Sequence, residues 1–415
     1  MSSIADFDIA SDLKVEFFIP NEADNLFIIG VSRLGGDDEL AGAGLFTIGT
    51  SLLGGSDLLG DSEFFAFDWQ DLGCVTASAE ITIGGQVKDT LYFQPEPASA
   101  TVTIQSLSYD PNYNSSFRPG TQMRIRLVRD ELDVILFKGF VDSISGTYYQ
   151  AGFNKLDVKA LDSFTRYVNT RVDLLDTDTD FPAGFVTPYE QLDQIALALG
   201  TSMNAASIEG AGEIPSTIQE SVIVNNAIYE AIQIGLGLLW LDQDTQEFIF
   251  IPRPSSSTPS EGTFTIGNNH DEANHLCMSD IKTDASQSAV FNSLRVQLTS
   301  DEATFVVLKD QDSIDLFGEF AQDVTINTTD ETELQRWAEA VFNQNPTNLV
   351  TSVETPAINR LGTLTEAAFF NPGELVGVKY LTGVLDIDDH YTVTKVSHSI
   401  DVNNWFTTLD LWKEA

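Results

Sequence analysis

The residues best suited to chemistry are few and scattered. Four histidines occur, His270, His275, His390 and His398. Two of them lie in the run His270-Asp271-Glu272-Ala273-Asn274-His275-Leu276-Cys277, which offers two imidazoles and a thiolate, donor types that a transition metal takes. The spacing matches no zinc signature and a fourth ligand must come from elsewhere, so the segment reads as a polar surface loop. An acidic run, Asp173 with Asp176, Asp178 and Asp180, begins as a calcium loop does. Phe181 then occupies the position where the sharp turn needs glycine, and Thr187 the position of the bidentate Glu. A solvated acidic turn fits better.

Nucleophile signatures are missing: there is no Gly-x-Ser-x-Gly, no phosphate-binding Walker loop and no His-Glu-x-x-His. Asp and Glu together number 62, so some close carboxylate pairs are guaranteed by abundance and do not by themselves indicate glycoside cleavage. The sequence therefore predicts a protein that is not an enzyme, with no catalytic residue, no cofactor and no metal ligand. Cys74 and Cys277 stand too far apart in sequence to define a disulfide framework, and buried free thiols are expected.

Charge narrows the partners. A formal net charge of −41 repels phosphate, which argues against nucleic acid as a stably bound ligand. Two readings stay open and are compatible: a saline host, in which dense carboxylates keep proteins soluble, or an acidic channel through which nucleic acid slides without sticking. No apolar run is long enough to span a membrane, and Met1-Ser2-Ser3-Ile4-Ala5-Asp6 does not open like a secretory signal, so synthesis in a cytoplasm is expected.

The elements that must carry any site are mainly strands. Gly30 to Asp61 is glycine-rich without sustained periodicity, an arm or loop. From Phe64 the pattern alternates: Ala77, Ala79, Ile81 and Ile83 share a face, and Gly84-Gly85 is expected to turn the chain. Strands are predicted at 100–104, 123–128, 133–141 and 155–162, with Arg118-Pro119-Gly120 as a turn. Thr187-Pro188-Tyr189-Glu190 is a capping box that opens a helix with Leu192, Ile195, Ala196 and Leu199 on one face. A second helix spans about 226–234, and a hairpin joins Leu238–Leu241 to Phe248–Pro252 across Asp242-Gln243-Asp244. Pro254 to Ser260 reads as a linker. Asp330 and Glu333 cap a helix with Leu334, Trp337, Ala338, Val341 and Phe342 inward, before strands at 375–380, 391–400 and 405–412.

Two regions echo each other. Arg118-Pro119-Gly120-Thr121-Gln122-Met123-Arg124-Ile125 is answered by Asn371-Pro372-Gly373-Glu374-Leu375-Val376-Gly377-Val378, Val141-Asp142-Ser143-Ile144 by Val396-Ser397-His398-Ser399-Ile400, and Leu156-Asp157-Val158 by Leu409-Asp410-Leu411. Pro-Gly makes a tight turn that feeds a strand, so the echo predicts a duplicated barrel with a helical middle set between the copies. The expected division is an N-terminal arm (1–63), a first tube-like β-barrel (64–170), an α/β insertion (171–265) and a second barrel with one helix (266–415). The fold class is mainly β (α+β).

These words, in this order, resemble a known family. Trp69 to Ile83, Phe117-Arg118-Pro119-Gly120, Leu136 to Ile144, Asn371-Pro372-Gly373-Glu374-Leu375, and Val396 to Ile400 followed by Trp405-Phe406-Thr407-Thr408-Leu409 are similar to the minor tail or baseplate-hub proteins of tailed viruses, over about 64–411. The resemblance implies two tail-tube-like antiparallel barrels per chain with an α/β insertion. It further implies a homotrimer whose six barrels adapt a sixfold tail tube to a threefold tip and line the DNA-ejection channel. Implied partners are further copies of the chain, the tail tube or a distal tail protein, a tape-measure protein, tail fibres or spikes, and viral DNA in passage. The implied location is the virion, at the tail tip. Alternatives are a receptor- or carbohydrate-binding tail protein, for which Trp240 and Tyr148-Tyr149 are the candidate contacts, and a tail-associated cell-envelope hydrolase. Within a ring, alternate arginines of the cluster Arg118, Arg124, Arg126 and Arg129 are expected to meet acidic groups of a neighbouring barrel, leaving carboxylates to face the passage.

Overall fold

Alternation of apolar and polar residues builds one continuous sheet system, because each strand has a single inward face. Among the residues that the computed structural model describes, this is a 15-stranded sheet, accompanied by four small ones. The structure describes residues 8–20, 67–71, 75–88, 92–106, 118–129, 132–148, 154–172, 185–205, 214–215, 222–251, 264–268, 275–283, 291–301, 303–328, 331–343, 350–359, 363–382, 386–402 and 404–413. The glycine-rich stretch, the acidic run, Cys74, His270 and the predicted linker lie outside these residues.

The first barrel begins with α1 (Ile9–Asp12) and β1 (Leu13–Pro20). It continues through β2 (Phe67–Gln70), β3 (Val75–Lys88), β4 (Tyr92–Pro95), β5 (Ser99–Ser106), β6 (Gln122–Arg129), β7 (Leu132–Tyr148) and β8 (Asn154–Leu161). Its strands run antiparallel in the order β3-β5-β8-β7-β6-β1-β2. α1 and β1 return against β3, which curls the sheet around its apolar face. Ile81, Val102, Ile104, Met123, Ile125, Phe137, Leu156 and Val158 fill the interior. Burial of each larger side chain stabilises the barrel by about 1.5–3 kcal/mol.

One expectation fails here. Gly84-Gly85 does not turn the chain: β3 runs straight through both glycines and exchanges partners, leaving β5 at Thr82 and pairing β4 from Gly85 onward. Two consecutive glycines permit a tight turn, but they equally permit two backbones to touch, and here the second use prevails.

A helical middle packs on the far end of β3 and β4. It comprises α2 (Phe164–Val168), the short strands β9 (Arg171–Val172), β10 (Phe185–Val186), β11 (Met203–Ala205), β12 (Ile214–Pro215) and β13 (Val222–Ile223), with α3 (Pro188–Ala198), α4 (Val224–Gly235), β14 (Leu238–Leu241) and β15 (Phe248–Ile251). The Thr187 hydroxyl accepts from the Glu190 N–H at 3.2 Å, and the Glu190 carboxylate accepts from the Thr187 N–H at 2.7 Å. That reciprocal cap satisfies two donors that would otherwise lack partners and fixes where α3 starts. Its apolar face, Leu192, Ile195 and Ala196, meets α4.

The last third supplies β16 (Thr265–Gly267), β17 (His275–Cys277), β18 (Asp280–Thr283), β19 (Ser293–Leu298), β20 (Phe305–Lys309), α5 (Gln311–Phe317), β21 (Ala321–Ile326), α6 (Glu331–Asn343), β22 (Val350–Pro356), β23 (Leu375–Leu381), β24 (Asp386–Asp401) and β25 (Trp405–Lys413). β18-β22-β25-β24-β23 form the antiparallel body of the second barrel. β16 joins β23, and β17 joins β16, in parallel, so this barrel is not wholly antiparallel. β19, β20 and β21 make a separate three-stranded sheet under α6, whose Leu334, Trp337, Ala338 and Val341 are buried. The Trp337 indole N–H donates to the Gln233 carbonyl at 2.7 Å and ties α6 to α4.

Candidate functional site

The two Pro-Gly words fold into the same turn. Gly120 and Gly373 both adopt positive φ, +94° and +86°, which favours glycine. Gly120 N–H donates to Val141 at 2.7 Å while Val141 N–H donates back to Thr121 at 2.8 Å. Gly373 N–H donates to Val393 at 2.7 Å while Val393 N–H donates back to Glu374 at 2.8 Å. Each turn thereby clamps the start of a strand to the middle of a long partner, β7 or β24.

The likeness extends across five strands. β6, β7, β8, β5 and β3 correspond to β23, β24, β25, β22 and β18. β7 bulges between Val141 and Ser143 against β8, and β24 bulges at the matching place, between Val393 and Lys395, against β25. Registers then align rung by rung: Ile144, Val158, Val102 and Ala79 oppose one another in turn, as do Val396, Leu409, Val353 and Ile281. The structure corrects the correspondence expected from sequence, since Val141 matches Val393 and not Val396, and Leu156 matches Thr407 and not Leu409. The first copy has one more residue in each hairpin: 21 positions from Gly120 to Val141 against 20 from Gly373 to Val393, and 19 from Val141 to Ala160 against 18 from Val393 to Leu411.

The copies are joined edge to edge. β24 pairs with β23 through its first half, then leaves it and pairs antiparallel with β3 of the first barrel, from Lys395 opposite Gly84 to Asp401 opposite Ser78. At this seam the Ser397 and Thr82 hydroxyls lie 3.4 Å apart, and the Lys395 ammonium donates to Glu96 at 3.1 Å. Gly84 stands at the closest approach: a Cβ there would lie 2.3 Å from the Thr394 carbonyl oxygen. Beneath the seam, opposite Ile81, His398 is buried with Trp405 and Thr407. The Trp405 indole nitrogen lies 3.2 Å from His398 Nδ1, and the Thr407 hydroxyl, which donates to the Ala367 carbonyl at 2.7 Å, lies 3.0 Å from the same ring nitrogen. Burial pushes the His398 pKa down to about 4, so the ring is neutral.

Where the first barrel meets the insertion, Asp162 is buried. Its carboxylate accepts from the Phe164 N–H at 3.1 Å, and Gln243 bridges the same corner by accepting from the Lys138 N–H at 3.1 Å. Burial outweighs these bonds and pushes the Asp162 pKa up to about 7. Asp162 lies in no segment expected to carry chemistry, and nothing local distinguishes His398 from the other three histidines; only their apolar surroundings mark them.

Arg124 and Arg126 pair with acidic groups of their own barrel. Arg124 donates to Glu16 of β1 at 2.5 Å, Arg126 donates to Glu16 at 3.1 Å, and Arg126 also pairs with Asp133. Arg124 additionally lies over the Trp69 ring, 4.3 Å from its centre. The hydrogen bond from Arg126 holds the Asp133 carboxyl below its usual range.

Other candidates separate. Trp240, expected at the surface, is buried, packed where Gly373 turns, and offers no face to a sugar. Tyr148 is exposed, as expected, whereas Tyr149 lies outside the described residues. Cys277 is exposed on β17, contrary to the expected burial. Among the described residues no group of three His, Cys, Asp or Glu side chains is placed to hold a metal. Four large apolar side chains are exposed: Leu316 and Phe317 at the end of α5, at 76% and 69%, and Phe305 and Val307 of β20.

A chain that carries two copies of one five-strand motif, fused through a shared sheet edge, with helical units set between, has the fold of phage and prophage tail proteins. No family model and no curated protein matches the sequence. Among solved structures, the chain is similar to the tail protein from Neisseria meningitidis, with TM-score 0.56 and 14% identity over 84% of this chain and 94% of that one. It is also similar to the 43 kDa tail protein of prophage MuSo2 from Shewanella oneidensis, with TM-score 0.53 and 13% identity over 83% and 95% of the two chains. Prophage tail protein gp18 from Listeria monocytogenes matches at TM-score 0.50 and 12% identity, over 84% and 92%.

Proposed function

We propose that this chain is a structural hub subunit at the tail tip or baseplate of a tailed virus. Three copies, each contributing two barrels, form a ring that matches a sixfold tail tube on one side and presents threefold symmetry on the other. The observation that carries this reading is the matched pair of five-strand motifs within one chain. Two near-equivalent units per copy let a threefold assembly imitate sixfold symmetry. In this reading 64–170, joined by β1, and 266–415, with the β19–α6 unit set into it, carry the barrels, and 171–265 buttresses the first. The ring surrounds the passage for ejected DNA, and its −41 charge per copy disfavours phosphate binding there. Its neighbours are the tail tube or a distal tail protein, the tape-measure protein, and fibres or spikes.

Electron microscopy of tailed particles labelled with an antibody to the chain tests the placement. Label confined to the tail tip is expected. Label spread along the tail, or particles that carry none, would exclude a hub.

A further inference from the structure

One hairpin of the insertion touches both barrels. Its tip is keyed to the first. Gln243 is buried there: its side-chain carbonyl accepts from the Lys138 N–H of β7 at 3.1 Å, and its amide donates to the Leu241 carbonyl at 2.9 Å and hydrogen-bonds the Asp162 carboxylate. The Ser163 hydroxyl donates to the Gln246 side-chain oxygen at 3.0 Å, and the Phe248 ring meets those of Phe164 and Tyr167 of α2, with centroids 5.9 and 5.7 Å apart. The flank of the hairpin rests on the second barrel. Trp240 of β14 and Ile251 of β15 close over the Gly373 turn, where a Cβ would lie 2.8 Å from Ile251 Cδ1 and 3.0 Å from the Trp240 ring. The equivalent turn of the first barrel is uncovered: Arg118, Pro119 and Gly120 are exposed, and a Cβ at Gly120 would meet nothing within 4 Å.

We propose that the β14–β15 hairpin is a brace that couples the two barrels, so that disturbing the first barrel's corner at Lys138, Asp162 and Ser163 loosens the Gly373 turn of the second. The element that responds is the clamp in which Gly373 N–H donates to Val393 and Val393 N–H donates back to Glu374. This clamp fixes the start of β23 to β24, and displacing Trp240 and Ile251 removes the side chains packed over it. The uncovered Gly120 turn receives no such support.

The hairpin is stiff enough for this use. Strand β14 is buried at all four positions and packs on β3 and β4, and a close-packed interior passes strain on instead of absorbing it. Asp242 locks the tip: its carboxylate accepts from the N–H groups of Asp244 at 2.9 Å and Thr245 at 2.7 Å, and its own N–H donates to the Glu247 carbonyl at 2.9 Å. Gln246 takes a left-handed conformation, φ +62°, held by its side-chain amide, which donates to the Asp242 and Gln243 carbonyls at 3.2 and 3.3 Å. A rigid element packed at both ends carries coupling in both directions. The brace stands on contacts within one chain and does not depend on the hub reading.

Hydrogen exchange read by mass spectrometry on the full chain tests it. Gln243→Ala removes the tip bonds to Lys138 and Asp162 and leaves Trp240 and Ile251 in place. Exchange should rise about tenfold in peptides over 138–140 and 162–165, the factor for one lost buried hydrogen bond. It should rise as well in peptides over 371–376 and 391–394. Peptides over 405–411, which report opening of the second barrel as a whole, should keep the parent rate. By reciprocity Trp240→Leu should speed exchange over 138–140 and 162–165. Gly120→Ala, which strains the uncovered turn, should leave 371–376 unchanged. A rise confined to the first barrel's corner, no rise at all, or an equal rise that includes 405–411 overturns the brace. Should Gln243→Ala fail to fold, Ser163→Ala, which removes only the hydroxyl bond to Gln246, should give the same pattern at smaller amplitude. A response at 162–165 without one at 371–376 in that variant overturns the brace equally.

Discussion

At the scale of single residues, two buried titratable groups give stability opposite dependences on pH. Asp162 is held up at about 7 by burial, against about 3.9 for an unfolded carboxyl. Its protonated form fits the corner, so its contribution is present below about pH 4 and is lost as pH rises through 7. His398 is held down at about 4, against about 6.5 unfolded. Its contribution is present above about pH 6.5 and is lost as pH falls toward 4. Melting curves between pH 4 and 7 should therefore show Asp162→Asn gaining on the parent as pH rises, and His398→Gln gaining as pH falls. Curves for both variants that run parallel to the parent would show that neither group is buried as described. These residues were invisible as a site in the sequence, because burial of a lone Asp or His is a property of strands distant in the chain.

At the scale of elements, the seam can be weighed against a turn. Gly84 and Gly120 both hold positive φ, so an alanine at either is strained. At Gly120 a Cβ meets nothing within 4 Å, whereas at Gly84 it meets the Thr394 carbonyl oxygen at 2.3 Å. Gly120→Ala should cost about 1 kcal/mol, and Gly84→Ala about 2–3 kcal/mol or more, because it must also push β24 away from β3. Urea unfolding of both variants measures the difference, and equal costs would mean that the two barrels do not approach as closely as the seam requires. Local signals made much of this legible in advance: the Thr187–Glu190 cap, the α6 face with Trp337, and the two Pro-Gly turns all act within a few residues. What depended on distant partners did not show. The copies share a bulge but differ by one residue in each hairpin, and such a difference leaves the alternation within each strand intact, so the matched words sit two or three positions out of register. Gly84-Gly85 looked like a turn because a close approach by β24, more than 300 residues later, leaves no local trace. Trp240 looked like a surface residue for the same reason.

At the scale of the whole molecule, charge and symmetry govern. A net charge of −41 per copy makes dilute buffer a destabilising solvent, and assembly multiplies the repulsion. Raising the salt to 1 M shortens the screening length to about 3 Å, so the melting temperature should climb along a salt series. A melting temperature that does not move between dilute buffer and molar salt would show that the acidity is not an adaptation to saline surroundings. Arg124 and Arg126 are paired with Glu16 and Asp133 inside one barrel.

Cryo-electron microscopy of the purified chain in molar salt tests the central claim most directly, since it reads both the number of copies and the symmetry of the barrels. The account predicts a closed ring of three copies in which six barrels stand at nearly equal angles around one axis. A stable twofold dimer, or a ring whose barrels are not related by approximate sixfold symmetry, would contradict it.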